Sequence, residues 1–156
     1  MIVSILLSLG GCSSAWLPFK AYEGPELVAS DVAVIRSEIA MGALEDCAVV
    51  SVSADEVMYY SWERDSRDFD DFDWGYKGGV DISLKPGTYA VALTGQCHGQ
   101  DRDGRTYTAV LRPGHRYVTK KAGCFGLNLF KAGLHLWLED ADTGEDVTGS
   151  KEILIN

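Results

Sequence analysis

The stretch VDISLKPGTYAVALT, residues 80–94, decides the fold. Val80, Ile82 and Leu84 alternate with Asp81, Ser83 and Lys85. That period of two marks a strand with one face buried and the other wet. Pro86-Gly87 interrupts the pattern, and "TYAVALT" (88–94) then resumes as a second strand, rich in β-branched and aromatic residues. Proline presets the first central position of a type II turn and glycine supplies the positive φ of the second. Type II turns splay a tight two-residue hairpin, so this one suits an arch between two sheets, or a longer hairpin.

The same construction recurs downstream. "SLKPGTYAV" (83–91) and "VLRPGHRYV" (110–118) share a leucine, a basic residue, Pro-Gly and a closing valine. Further strand signals lie at 47–53, 57–62, 105–111, 115–121, 134–139 and 151–155, separated by Gly, Pro and Asp. Residues 32–44 read as a strand followed by an irregular turn. Many short strands at such intervals predict an all-β domain, a single antiparallel β-sandwich over residues 22–156.

The chain has 156 residues and a formal net charge of −9. An acidic surface is repelled by nucleic acid, and no basic cluster occurs beyond Lys120-Lys121, so nucleic-acid binding is excluded. The chain opens MIVSILLSLGGCSS, whose apolar run falls short of the roughly 18–20 residues that span a bilayer. Leu9-Gly10-Gly11-Cys12 resembles the lipobox of bacterial lipoproteins. The resemblance implies a signal peptide over 1–11, a diacylglyceryl group on Cys12 and a lipidated tether over 12–21. Acyl chains at about 0.8 kcal/mol per buried CH2 would hold such a protein on a membrane. Ser13 after the cysteine resembles outer-membrane sorting, which implies an envelope protein facing the periplasm.

With Cys12 acylated, Cys47, Cys97 and Cys124 remain, in a compartment where disulfides persist. Three pairings are open, and the spacings do not fit a zinc site. Cys97 follows Pro86 by the same number of residues as Cys124 follows Pro113. Both would end strands leaving equivalent turns in the same direction, and the expected bridge is Cys97–Cys124, stapling the two sheets if the strands lie in opposite ones. Cys47 is then left outside the bridge and buried.

The Pro-Gly segment also looks like the corner of prealbumin-like and immunoglobulin-like accessory domains in bacterial envelope proteins. The order "YEGPEL…VAVI…LKPGTYAV…LRPGHRYV…DADTGEDV" resembles a group of short, uncharacterised proteobacterial envelope lipoproteins. The likeness implies a fold and supplies no catalytic residues.

Chemistry-bearing motifs are weak. Asp142-Thr143-Gly144 has the aspartic-protease triplet but occurs once and sits among acidic residues, so a turn accounts for it. Neither "DRDG" (101–104) nor "DFDDFDW" (68–74) has the calcium-loop register. His98, His115 and His135 lack a nucleophile elbow, and surface roles are expected, with His135 on the outer face of its strand and Trp137 opposite. No metal or cofactor is expected.

The distinctive segment is "YYSWERDSRDFDDFDWGY" (59–76), which interleaves rings with carboxylates. Trp74, Tyr76, Asp70, Asp71 and Asp73 are the expected contact residues for a protein or glycan, while Trp62, Phe69 and Phe72 are expected to cover the sandwich end. The leading reading is a non-enzymatic envelope lipoprotein, a binding or accessory module. One alternative is an enzyme acting on envelope glycans or peptides through carboxylates of the 63–73 cluster. Another is a structural subunit of an envelope complex.

Overall fold

The computed structural model describes residues 16–39, 47–65, 78–95, 103–123 and 134–149. Their strands are β1 (Trp16–Lys20), β2 (Ala33–Ile39), β3 (Cys47–Ala54), β4 (Val57–Ser61), β5 (Gly78–Leu84), β6 (Gly87–Gly95), β7 (Asp103–Leu111), β8 (Arg116–Ala122) and β9 (His135–Asp140). A single helical turn, Trp62–Asp65, follows β4. Two sheets face each other, one ordered β1-β5-β2-β8-β9 and the other β4-β3-β6-β7. The fold is an all-β sandwich. The expected final strand at 151–155 lies outside the described residues.

Both Pro-Gly segments are arches between sheets. Pro86-Gly87 takes the chain from β5 to β6, and Pro113-Gly114 takes it from β7 to β8. At the second arch Gly114 has φ 75°, and the His115 amide donates to the Arg112 carbonyl at 3.4 Å. Its expected left-handed glycine is present. Gly87 is different: it is the first residue of β6 and carries no positive φ. The likeness between the two segments is one of route, not of turn type.

Crossing between sheets has a second consequence. A strand returning to a sheet can arrive running the same way as its new neighbour, and β1 pairs β5 in parallel, as β2 does β8. The five-stranded sheet is therefore mixed, where an antiparallel one was expected; the four-stranded sheet is antiparallel throughout. Strand β1 also occupies part of the stretch expected as a tether. Its Pro18 suits an edge position, where one side of the strand needs no amide donor.

The core lies between the two inner faces. Val80, Ile82 and Leu84 of β5 are fully buried, as the alternation predicts, and meet Val91 and Leu93 of β6 together with Ile35, Tyr117, Leu136 and Leu138. In β3 the register against β6 shifts between Val49 and Ser51, so that Val49 and Val52 both face inward and Val50 is exposed. One extra residue in the strand re-phases the pattern. His135 and Trp137 share one face of β9, the outer one, because they are two residues apart; Leu136 and Leu138 take the inner face. Polar bonds tie the sheets together where β3 begins: Ser37 Oγ accepts from the Val49 amide at 2.9 Å, and Thr119 Oγ1 donates to the Cys47 carbonyl at 2.9 Å.

The sandwich has two distinct ends. The chain enters β1 at Trp16, beside Gly79 of β5, and β3 begins at that end too, where Cys47 lies opposite Gly95. The far end carries both arches, the β3–β4 hairpin and the turn after β9.

Candidate functional site

A cleft of about 670 Å³ opens at the far end, lined by Phe19 to Glu23, Val57 to Tyr59, Arg64, Lys85 and Tyr89. Each wall has a local cause. Where β1 stops, Lys20 Nζ lies 4.9 Å from the centre of the Tyr22 ring and also donates to the Gly24 carbonyl. The Tyr22 hydroxyl accepts from the Leu27 amide at 3.1 Å, closing the loop that leaves β1. On the opposite wall Tyr59 and Tyr89 meet edge to face, 5.5 Å apart at 87°. The Tyr89 hydroxyl donates to the Lys85 carbonyl at 2.8 Å and so braces the first arch. Burial, with Tyr59 adding to it, pushes the Tyr89 hydroxyl above the ordinary tyrosine range, so it stays neutral.

Arg64 enters the cleft from the helical turn. It forks onto Asp65, Nε to Oδ1 at 2.6 Å and Nη2 to Oδ2 at 2.8 Å, and its nitrogens reach the Met58 and Tyr59 carbonyls at 3.4 Å. Asp65 Oδ2 also accepts from the Ser61 amide at 2.8 Å. Burial raises the Asp65 carboxyl, but the Arg64 fork and the Ser61 amide outweigh it and hold it below the usual carboxylate range. The rim is apolar, with Val57 52% and Met58 45% exposed. Three cations, Lys20, Arg64 and Lys85, therefore line the cleft against one carboxylate, Glu23, in a chain whose net charge is −9.

A second cluster lies at the same end. Ligand-type atoms of His115, Asp140 and Asp142 all fall within 4.8 Å of one another. Asp140 is fully buried, and its oxygens are occupied: Oδ1 accepts from the Asp142 amide at 2.9 Å and the Thr143 amide at 3.3 Å, Oδ2 from His115 Nδ1 at 2.7 Å. Burial pushes this carboxyl up, yet the amides and the imidazole together hold it below the usual range. A cation there would have to displace those donors. The arrangement locks the second arch to the turn after β9, so His115 is a turn-holding residue and not a bystander on the surface. In that turn Gly144 has φ 74° and donates its amide to the Asp140 carbonyl at 2.7 Å, which makes Asp142-Thr143-Gly144 a turn.

Of the residues singled out from the sequence, Cys12, Cys97, Cys124, Asp70, Asp71, Asp73, Trp74 and Tyr76 lie outside the described residues, as do Phe69 and Phe72. Trp62 is half-buried, Glu63 exposed and Asp65 buried. Cys47 is buried, its Sγ donating to the Lys120 carbonyl at 3.3 Å, and the described residues contain no disulfide. Sequence reasoning missed the cleft, although Tyr59 and Arg64 fall within the segment it marked. The available signal was the pairing of aromatic and basic residues at 19–22 and at 85–89, on strand ends that the two sheets bring together. No family model, no curated protein and no solved structure matches this chain.

Proposed function

We propose that this chain is a non-enzymatic binding module of the bacterial envelope, anchored through acylated Cys12, that holds a protein or glycan ligand in the far-end cleft. One observation carries the reading: an aromatic and cationic cleft lies at the end of the sandwich opposite the point where the chain enters β1. An anchor at the chain's start would leave that cleft facing away from the membrane. The enzyme alternative draws less support. Of the described carboxylates in the 63–73 cluster, Asp65 is already committed to Arg64 and Ser61, and Glu63 is exposed and does not line the cleft. No helix among the described residues is long and apolar enough to cross a membrane.

Trp74, Tyr76, Asp70, Asp71 and Asp73 follow Arg64 by six to twelve residues in the sequence, and in this reading they contribute further ligand contacts. The test is a photo-crosslinker placed at exposed Val57 in living cells, alongside the W74A/Y76A double variant. Covalent capture of a discrete envelope component, lost in the double variant with an unchanged melting temperature, supports the module. Absence of any adduct at Val57 overturns it. Intact-mass measurement of membrane-extracted protein tests the anchor: cleavage before Cys12 with an acyl-glyceryl adduct is expected, and a soluble product retaining Met1 refutes it.

A further inference from the structure

We infer that the cleft takes an acidic saccharide, a sugar ring carrying a carboxylate; this rests on the reading of the cleft as a binding site. Size comes first. At about 670 Å³ the cleft falls in the roughly 300–1,000 Å³ range of small-ligand sites. A partner protein instead calls for roughly 800 Å² of surface on each side.

Charge selects the sign of the ligand. In a chain of net charge −9, a pocket lined by three cations and one carboxylate is a local inversion of sign that favours anions there. The three cations are not equivalent. Arg64 is forked onto Asp65, and Lys20 is held by the Gly24 carbonyl and the Tyr22 ring. Lys85 is exposed, beside the first arch, and no carboxylate among the described residues pairs with it. Its ammonium is the group available to a ligand carboxylate.

The rings select the body of the ligand. Tyr22 and the edge-to-face pair Tyr59 and Tyr89 line the cleft, and their hydroxyls at 22 and 89 are already bonded within the protein. Tyr89 is buried and Lys20 covers one side of Tyr22, so the half-buried Tyr59, the other side of Tyr22 and the exposed Val57 and Met58 are the apolar surface left to a ligand. A pyranose presents an apolar face of C–H groups to such surfaces while its rim stays polar, which matches a mixed aromatic and cationic lining. A bare anion would leave the rings unused, and a neutral sugar would leave Lys85 unanswered.

The test titrates the detergent-solubilised full chain with trigalacturonate, maltotriose and triglutamate by calorimetry and by NMR of the tyrosine resonances. Trigalacturonate should bind, weaken as salt is raised, and lose about tenfold in affinity in K85Q, the worth of one charge-assisted hydrogen bond. K85Q should keep the wild-type melting temperature, since the side chain is exposed. Maltotriose should bind at least about tenfold more weakly, for the same missing bond. Equal binding of maltotriose, tighter binding of triglutamate, or unchanged affinity in K85Q each overturns the acidic saccharide. If no sugar binds while Val57 still captures a partner, the acidic saccharide falls and the binding reading stands; if neither occurs, both fall.

Discussion

Replacing Asp140 tests how the far end of the sandwich is held. Its carboxylate is fully buried and accepts three hydrogen bonds, from the Asp142 and Thr143 amides and from His115 Nδ1. D140A strands all three donors and opens a small void. A buried donor left without its acceptor costs about 1–3 kcal/mol. The exposed turn at 141–144 and the part-exposed His115 let water reach these donors, so the three together should cost about 3–4 kcal/mol. At roughly 2–4 °C per kcal/mol for a chain of this size, the melting temperature should fall by roughly 6–16 °C. D140N keeps the shape and the Oδ1 acceptor but loses the charge, exchanging charge-assisted bonds for neutral ones at a cost of about 1–2 kcal/mol.

The pH dependence has a definite sign. The folded Asp140 carboxyl is depressed below its unfolded value of about 3.9. Its stabilisation is therefore fully present above that value and is lost as pH falls through the folded one. Wild type should lose this contribution in acid while D140N has none to lose, so the gap between them should narrow from pH 7 towards pH 3. Urea unfolding with an unchanged m-value measures it. A D140A cost under about 1 kcal/mol, or a D140N gap that stays constant into acid, would refute the account.

Three further changes probe other parts of the fold. Tyr60 is fully buried and its hydroxyl finds no partner among the described residues, so Y60F should leave stability unchanged or raise it by up to about 1 kcal/mol in urea unfolding; a clear loss would reveal an unrecognised acceptor. A methyl group at Gly79 would sit 2.3 Å from the Ser37 carbonyl oxygen and 2.4 Å from the Trp16 ring, so G79A should cost about 1–3 kcal/mol and lower the denaturant midpoint. Peptide mapping under non-reducing conditions should link Cys97 to Cys124, since β6 and β8, the strands leading to them, lie in opposite sheets, whereas a linked peptide containing Cys47 would refute the pairing.

The parts of this fold legible in the sequence are those with local causes. Alternation at Val80, Ile82 and Leu84 reports burial directly, because each residue's face depends only on its neighbours. Pro86 and Pro113 mark strand ends in the same local way but leave an arch or a longer hairpin open; both prove to be changes of sheet, with the expected positive-φ glycine only at Gly114. What escaped has non-local causes. Nothing within Trp16–Lys20 announces that β5, some sixty residues later, will pair with it in parallel. The extra residue at Val50 breaks the period that a strand should show, and only the β6 register reveals it. Asp140 looks like one more acid in an acidic turn until the second arch delivers His115 to it. The cleft is the extreme case, since its walls come from stretches near residues 20, 58, 64 and 87 that no short window unites.

Strand β1 has a mechanical meaning if Cys12 is the anchor we propose. Only Ser13, Ser14 and Ala15 separate that cysteine from Trp16. Four chain steps of at most about 3.6 Å leave a leash of roughly 14 Å, so the domain would ride close to the bilayer and not swing on a long cord. A pull on a ligand held beyond Lys20 would run down the axis of β1 and load its five paired positions with β5 together, in shear. Peeling would load them one after another and yield at a lower force. The edge strand would thus act as the part of the molecule that carries tension from cleft to membrane.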